Sequence, residues 1–167
     1  MEVRIAVPEE HAAAGRVTAD AYREFVRSGN DDWERYLARI ADVGERADRT
    51  SIVVAVEDGR VLGSLTLELE GRVRDEGDAD HRPLAVGEAH IRMLGVDPSA
   101  RRRGIARTLM AEAERLARDA GKGEITLNTT ERMQAAQRMY EALGYERIED
   151  TVFPDGFVLL GYRKRLA

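Results

Sequence analysis

Strand-like and helix-like periodicities interleave along this chain. Their order, β-α-α-β-β-β-α-β-α-β-β, predicts a mixed α/β fold, a sheet with helices on both faces. Three observations carry that expectation. SIVVAVEDGRVLGSLTLELE (51–70) is two β-branched runs around an Asp-Gly turn signal. Two strand-then-helix units follow, within 87–120 and 124–143. A second hairpin signal closes the chain, with 145–152 and 157–165 on either side of Pro154-Asp155-Gly156. No repeat, low-complexity tract or linker interrupts the pattern, and 167 residues suffice for one hydrophobic core, so a single domain over 1–167 is expected.

Each element has a local reason. Val3, Ile5 and Val7 alternate with Glu2, Arg4 and Ala6, as a strand does. Pro8 and two glutamates then suit a helix start, and Val17, Ala21, Tyr22 and Phe25 give it an apolar face. Ser28-Gly29-Asn30 breaks it. Asn30 or Asp31 can cap a second helix bearing Trp33, Leu37 and Ile40. After the 51–70 hairpin, residues 71–87 lose periodicity and carry Asp75, Glu76, Asp78 and Asp80, which reads as an exposed acidic loop. GEAHIRMLGV (87–96) is a strand with Glu88, His90 and Arg92 on one face and Ala89, Ile91 and Met93 on the other. Ile105, Leu109, Ala113, Leu116 and Ala120 form a helical stripe that Gly121 ends. EITLNT (124–129) is a strand. The helix near 131–143 turns Ala135, Ala136, Met139, Tyr140 and Leu143 inward, with Gly144 just past its end.

Composition narrows the function. The net charge is −5, and only Lys122 and Lys164 are lysines. An acidic domain with one short basic cluster makes too few phosphate contacts for general DNA binding, so no nucleic-acid partner is expected. No apolar run approaches the roughly 18 residues of a membrane span, and MEVRIAVPEE does not read as a signal peptide. No membrane partner and a cytoplasmic location are therefore expected. Without cysteine there is no disulfide, thiolate metal site or cysteine nucleophile. His11, His81 and His90 lack ligand spacing, so no metal is expected.

RRRGIARTL (101–109) packs three arginines against a glycine at a helix start. Unpaired amides there, the helix dipole and the missing Cβ of Gly104 would suit a compact anion. The residues alone leave a plain exposed turn equally open. There is no GxxxxGK[ST] and no GxGxxG.

The longer stretch RMLGVDPSARRRGIARTLMAEAERLA resembles the cofactor segment of the GNAT acetyltransferase superfamily, whose Q/R-x-x-G-x-G/A signature Arg101, Arg102, Arg103, Gly104, Ile105 and Ala106 match. The strand before it, the apolar helix after it and AAQRMYEALGY (135–145) recur in that family in the same order. The resemblance runs over about 51–165, and over the first two helices in arrangement only. It implies a mostly antiparallel, twisted sheet of six to seven strands with four helices, splayed at the cofactor. It implies acetyl-CoA as cosubstrate, its pyrophosphate on the amides of about Arg102 to Arg107 and its pantetheine arm along Leu94, Gly95 and Val96.

What the resemblance implies for chemistry is direct transfer to an amine, with no acyl-enzyme. The family's glutamate on the fourth strand matches His90 here, with Glu88 two residues earlier, so either could serve as the base. Histidine's ordinary value of about 6.5 would suit that task near neutrality. Glu88 could instead simply pair with Arg92. Tyr140 matches the tyrosine that assists the leaving thiolate, though it could equally be a packing residue. Many members carry an asparagine where Met133 stands, and Asn128 could supply a polar contact in its place. Tyr22, Phe25, Trp33 and Tyr36 would wall the acceptor site, and Glu68, Glu70 and the acidic loop could attract a cation. A small-molecule amine is the expected acceptor. A protein N-terminus or lysine, and a catalytically silent CoA-binding sensor, are the alternatives. FVLLGYRK could serve a homodimer as an edge or remain a capped monomer strand.

Overall fold

The computed structural model describes residues 1–25, 31–73, 82–154 and 156–167. The acidic loop at 75–80, His81, Ser28-Gly29-Asn30 and Asp155 lie outside them. The chain runs β1 (Glu2–Ile5), α1 (His11–Arg23), α2 (Asp31–Ala41), α3 (Val43–Ala47), β2 (Ser51–Glu57), β3 (Arg60–Glu68), β4 (Arg72–Val73), β5 (Arg82–Pro83), β6 (Glu88–Val96), α4 (Ile105–Asp119), β7 (Glu124–Thr130), α5 (Gln134–Ala142), β8 (Glu146–Val152) and β9 (Val158–Arg165).

Seven strands form one sheet in the order β1-β2-β3-β6-β7-β9-β8, and β4 pairs with β5 apart from it. Every pairing in the sheet is antiparallel except β6 with β7. That parallel pair follows from the chain between them, since a parallel neighbour needs a crossover and α4 provides it. The β2–β3 turn has Asp58 and Gly59 both at positive φ, 51° and 74°, the twist a two-residue hairpin needs.

The core explains why β2 and β3 are apolar on both faces. Val53, Ala55, Leu65 and Leu67 join the large cluster with Ile105, Leu109, Met110 and Ala113 of α4. Val54 and Val56 join a second cluster with Ala14 of α1 and Val43 of α3. Helices therefore cover the sheet from both sides.

Three local expectations give way. A third helix, α3, appears before β2; Asp42 caps it, its Oδ1 accepting from Glu45 N at 3.2 Å. Ala135 is exposed, because α5 starts at Gln134, later than about 131, and turns Ala136, Met139, Tyr140 and Leu143 to the core instead. Most consequential is Met93. Its φ is +56°, and the β3–β6 register shifts there. This bulge places two successive side chains on one face. Met93 packs with Ala19, Leu37 and Ile40 under α1 and α2, opposite Ala89 and Ile91. Beyond it Leu94 and Val96 face the α4 side, and Gly95 faces α1 so closely that a Cβ would lie 2.9 Å from Thr18 Cα.

Candidate active site

The β6–β7 ladder is short. Residue pairs run from Glu88↔Glu124 to Ile91↔Leu127 and stop, while β6 continues to Val96 and β7 to Thr130. The strands part there. Leu94, Gly95 and Val96 lie on one lip, and Asn128 is the first residue past the ladder on the other.

After β6 the chain turns sharply. Asp97 Oδ1 accepts from the amide and the hydroxyl of Ser99, each at 2.8 Å, and Asp97 also pairs with Arg60. These bonds hold the Asp97 carboxyl below its ordinary value, with those from Ser99 the largest cause. Arg102 and Gly104 then take positive φ, 63° and 77°. Nothing lies within 4 Å of a Cβ built on Gly104, so conformation rather than space selects glycine there.

Helix α4 begins without a side-chain cap and without an acid in its first turn. The amides of Ile105, Ala106 and Arg107 precede the helical ladder, whose first bond runs from Thr108 N to Gly104 O at 3.1 Å. They edge a cleft of about 420 Å³ that Arg101, Arg102, Val96 and Met139 also line. An uncapped helix start beside residues in the left-handed region concentrates partial positive charge, which fits an anionic diphosphate.

The three arginines do not act alike. Arg101 donates to both oxygens of Glu24, at 3.1 and 2.6 Å, and Arg103 to both of Glu57, at 2.8 Å each. These pairs fasten the loop to the end of α1 and to β2. Arg102 forms no ion pair among the described residues and lines the cleft.

A second constellation occupies the α1–α3 face of β6 and β7. Glu88 is 4% exposed and His90 1%. Burial alone would raise the Glu88 carboxyl. Bonds from Arg82, Thr126 and the Ala85 amide outweigh it and leave the group at about 2. Arg82 Nη1 donates to Oε2 at 2.9 Å, and the Ala85 amide donates there at 3.2 Å. Arg82, not Arg92, is thus the partner of Glu88. Arg92 lies 3.5 Å from Glu68.

The His90 ring meets Thr126 Oγ1 through Nδ1 at 2.7 Å. Burial, and then the charge of Arg82, push its pKa down to about 3, against the partial opposition of Glu88. The imidazole is neutral at pH 7, but it lacks the near-neutral titration that its residue type suggests.

Tyr140 lies on the other face, in the large core with Ile91, Leu127 and α4. It is 5% exposed, and its ring packs against Tyr145 and Tyr162 at 6.0 and 5.8 Å between centroids. Its hydroxyl bonds no group among the described residues. Burial, then Tyr162, raises the phenol well above its usual range. Tyr140 and His90 thus lie on opposite faces of the sheet, His90 one residue short of the point where the β6–β7 ladder ends. Met133 stands at the start of α5, where its carbonyl accepts from Gln137 N at 3.1 Å.

On the α1–α2 side, Tyr22, Tyr36 and Trp33 form an edge-to-face series, at 6.3 and 5.5 Å between successive centroids. Tyr22 and Tyr36 pack on the cluster that contains Met93, so this half-buried wall adjoins the parted strand.

Sequence reasoning missed Thr126 and Arg82. Alternation in EITLNT gives Thr126 its face, but no local feature marks it as a partner of His90. Arg82 lies within the 71–87 stretch that lacks periodicity. Among the described residues no group of acidic and histidine side chains could hold a metal ion, and no helix is long and apolar enough to cross a membrane.

Comparison with known proteins agrees with this fold. A model of the acetyltransferase (GNAT) family matches residues 16–145. The aminoglycoside N(6′)-acetyltransferase type 1 of Salmonella typhimurium is 29% identical over 132 residues, 77% of this chain and 80% of that protein. An aminoglycoside 6′-acetyltransferase type Ii has a similar structure, with TM-score 0.75 and 16% identity over 100% of this chain and 98% of its own. The yncA protein of Salmonella typhimurium, solved with its cofactor acetyl-CoA, has TM-score 0.70 and 20% identity over 100% of this chain and 94% of its own.

Proposed function

Since this chain belongs to the acetyltransferase (GNAT) family, we propose that it moves an acetyl group from acetyl-CoA directly to the primary amine of a small molecule. One observation carries the reading. The cleft edged by the uncapped α4 amides is also walled by Val96, at the parted end of β6, and by Met139, next to Tyr140. Acetyl-CoA supplies an activated acetyl thioester. The amides from about Arg102 to Arg107 would hold its diphosphate, with Arg102 beside them. The backbone of Leu94, Gly95 and Val96 would pair with its pantetheine arm, and Asn128 and Met133 would flank it.

The chain's own groups then divide the work. An ammonium with an ordinary pKa near 10.4 costs about 4.6 kcal/mol to neutralise at pH 7. His90, at about 3, cannot take that proton outright, because the gap amounts to roughly 10 kcal/mol. It serves as a hydrogen-bond acceptor that orients the amine or a water, and the proton leaves through water. Glu88 is committed to Arg82 and supports His90. Tyr140 Oη donates to the leaving sulfur. Because burial raises its pKa, it works as a hydrogen-bond donor to developing charge rather than as a full acid.

The aromatic wall of Tyr22, Trp33 and Tyr36 supports a cationic acceptor, since ring faces attract ammonium groups. The Salmonella relative, an aminoglycoside N(6′)-acetyltransferase, points the same way, towards an amine of the aminoglycoside type. Calorimetry with acetyl-CoA and CoA, run beside thiol release with a panel of small amines, N-terminal peptides and lysine peptides, tests the proposal. The expected result is saturable binding and fastest turnover on a small amine. Absence of binding, turnover on peptides alone, or binding without any turnover would overturn it.

A further inference from the structure

Thr126 stands between Glu88 and His90, and counting protons decides how the three are joined. Thr126 Oγ1 donates to Glu88 Oε1 at 2.5 Å. The Ala89 carbonyl, at 3.4 Å, is a longer alternative, and His90 Nδ1 could itself accept in the other tautomer. Arg82 Nη2, the remaining neighbour at 3.5 Å, can only donate to it. A hydroxyl has one proton. With that proton on the Glu88 contact, none remains for His90, so the imidazole donates through Nδ1, 2.7 Å away.

Reversal would require a protonated Glu88 that donates to Thr126. The geometry leaves no place for that proton. Oε1 receives Thr126 and Arg82, and Oε2 receives Arg82 and the Ala85 amide. Arg82 and the Ala85 amide can only donate, and between them they meet both oxygens, so the carboxylate is ionised and the proton of the Oε1 contact comes from Thr126.

We infer that Thr126 is a positioning residue: by donating to Glu88 and accepting from His90, it holds the imidazole in the Nδ1–H tautomer and leaves Nε2 as the hydrogen-bond acceptor. The arrangement inserts a hydroxyl between carboxylate and imidazole, where hydrolytic triads let the two meet directly. It needs no charge on the ring. The charged groups around His90 are Glu88 and Arg92 on its own strand, Arg82 on β5 and Glu68, its register partner on β3. The catalytic consequence rests on the acceptor role proposed above for His90; the tautomer does not.

Long-range ¹H–¹⁵N correlation of the imidazoles in the full chain tests this, with His90 assigned by its loss in His90→Gln. The expected pattern is a protonated Nδ1 and an unprotonated Nε2, constant from about pH 5 to 8. Thr126→Val should abolish that pattern and Thr126→Ser restore it. With an active amine, Thr126→Val should lower kcat about tenfold or more with KM for acetyl-CoA within about twofold, and Thr126→Ser should recover most of it. A protonated Nε2 in the wild-type chain would overturn the inference without any variant. So would a Thr126→Val protein that keeps the Nδ1–H pattern. If the tautomer holds but His90→Gln leaves turnover intact, the relay stands and the acceptor role falls.

Discussion

Tyr140 carries its hydroxyl on a ring enclosed by Tyr145, Tyr162 and the α4 side of the core. Removing only the oxygen keeps that packing. Tyr140→Phe should lower kcat about tenfold to a hundredfold while acetyl-CoA affinity stays within about twofold, the signature of a contact made to developing charge. Steady-state kinetics beside calorimetry would check it, and unchanged kcat would leave the ring a packing residue. Tyr140 was readable in AAQRMYEALGY because it lies on the apolar stripe of a helix ended by Gly144. Thr126 was not, since a threonine in an alternating run looks like any half-buried strand residue. Arg46 escaped notice for a similar reason. It reads as a surface charge, yet it is buried and donates to Ile40 O at 2.9 Å and Thr66 Oγ1 at 3.1 Å, bracing α2 against β3. Whether a charged side chain finds enclosed partners depends on elements far apart in sequence.

At the scale of elements, the start of α4 differs from that of α3, where Asp42 supplies an oxygen to the first turn. A missing cap lowers stability, and α4 offsets that through the apolar face it buries on β2 and β3. An acid introduced there should separate stability from function. Ala106→Asp complements the helix dipole, worth about 0.3–1 kcal/mol, and should raise Tm by about 1–3 °C. The same charge faces the proposed diphosphate and should weaken acetyl-CoA about tenfold or more. Thermal unfolding and calorimetry on one preparation would read both. Equal affinity would show that these amides do not hold the cofactor. Elements of this kind were legible wherever local chemistry decides them: the Asp58-Gly59 turn, the α4 stripe, the glycine after α5. The parting of β6 from β7 depends on non-local pairing, and no property of either strand alone announces it.

For the molecule as a whole, acid should weaken the fold in two stages. His90 is neutral when folded, with a pKa of about 3, against an ordinary 6.5 when unfolded. Below about 6.5 the unfolded chain binds a proton that the folded chain does not, so stability falls as pH drops from 6.5 towards 3. Glu88 acts in the same direction lower down. Its contribution is present above 4.5 and is lost as pH falls towards 2. Urea midpoints at about pH 7, 6 and 5 should therefore decline, and His90→Gln should flatten that decline because Glu88 does not yet titrate there. Equal slopes in both proteins would mean the histidine titrates alike in the folded and unfolded chains.

The extra residue at Met93 sets the phase of everything after it in β6. A β6 that kept every residue but lost the bulge would exchange inside for outside along its last third, driving Leu94 and Val96 against α1 and turning Gly95 away. Deleting Met93 would not, since Leu94 would then follow Arg92 in ordinary alternation and Gly95 would still oppose Ser64; it would instead empty the place beside Ala19, Leu37 and Ile40. The left-handed conformation at Met93, more than the length of the strand, is thus what keeps the two lips of the cleft apart in character.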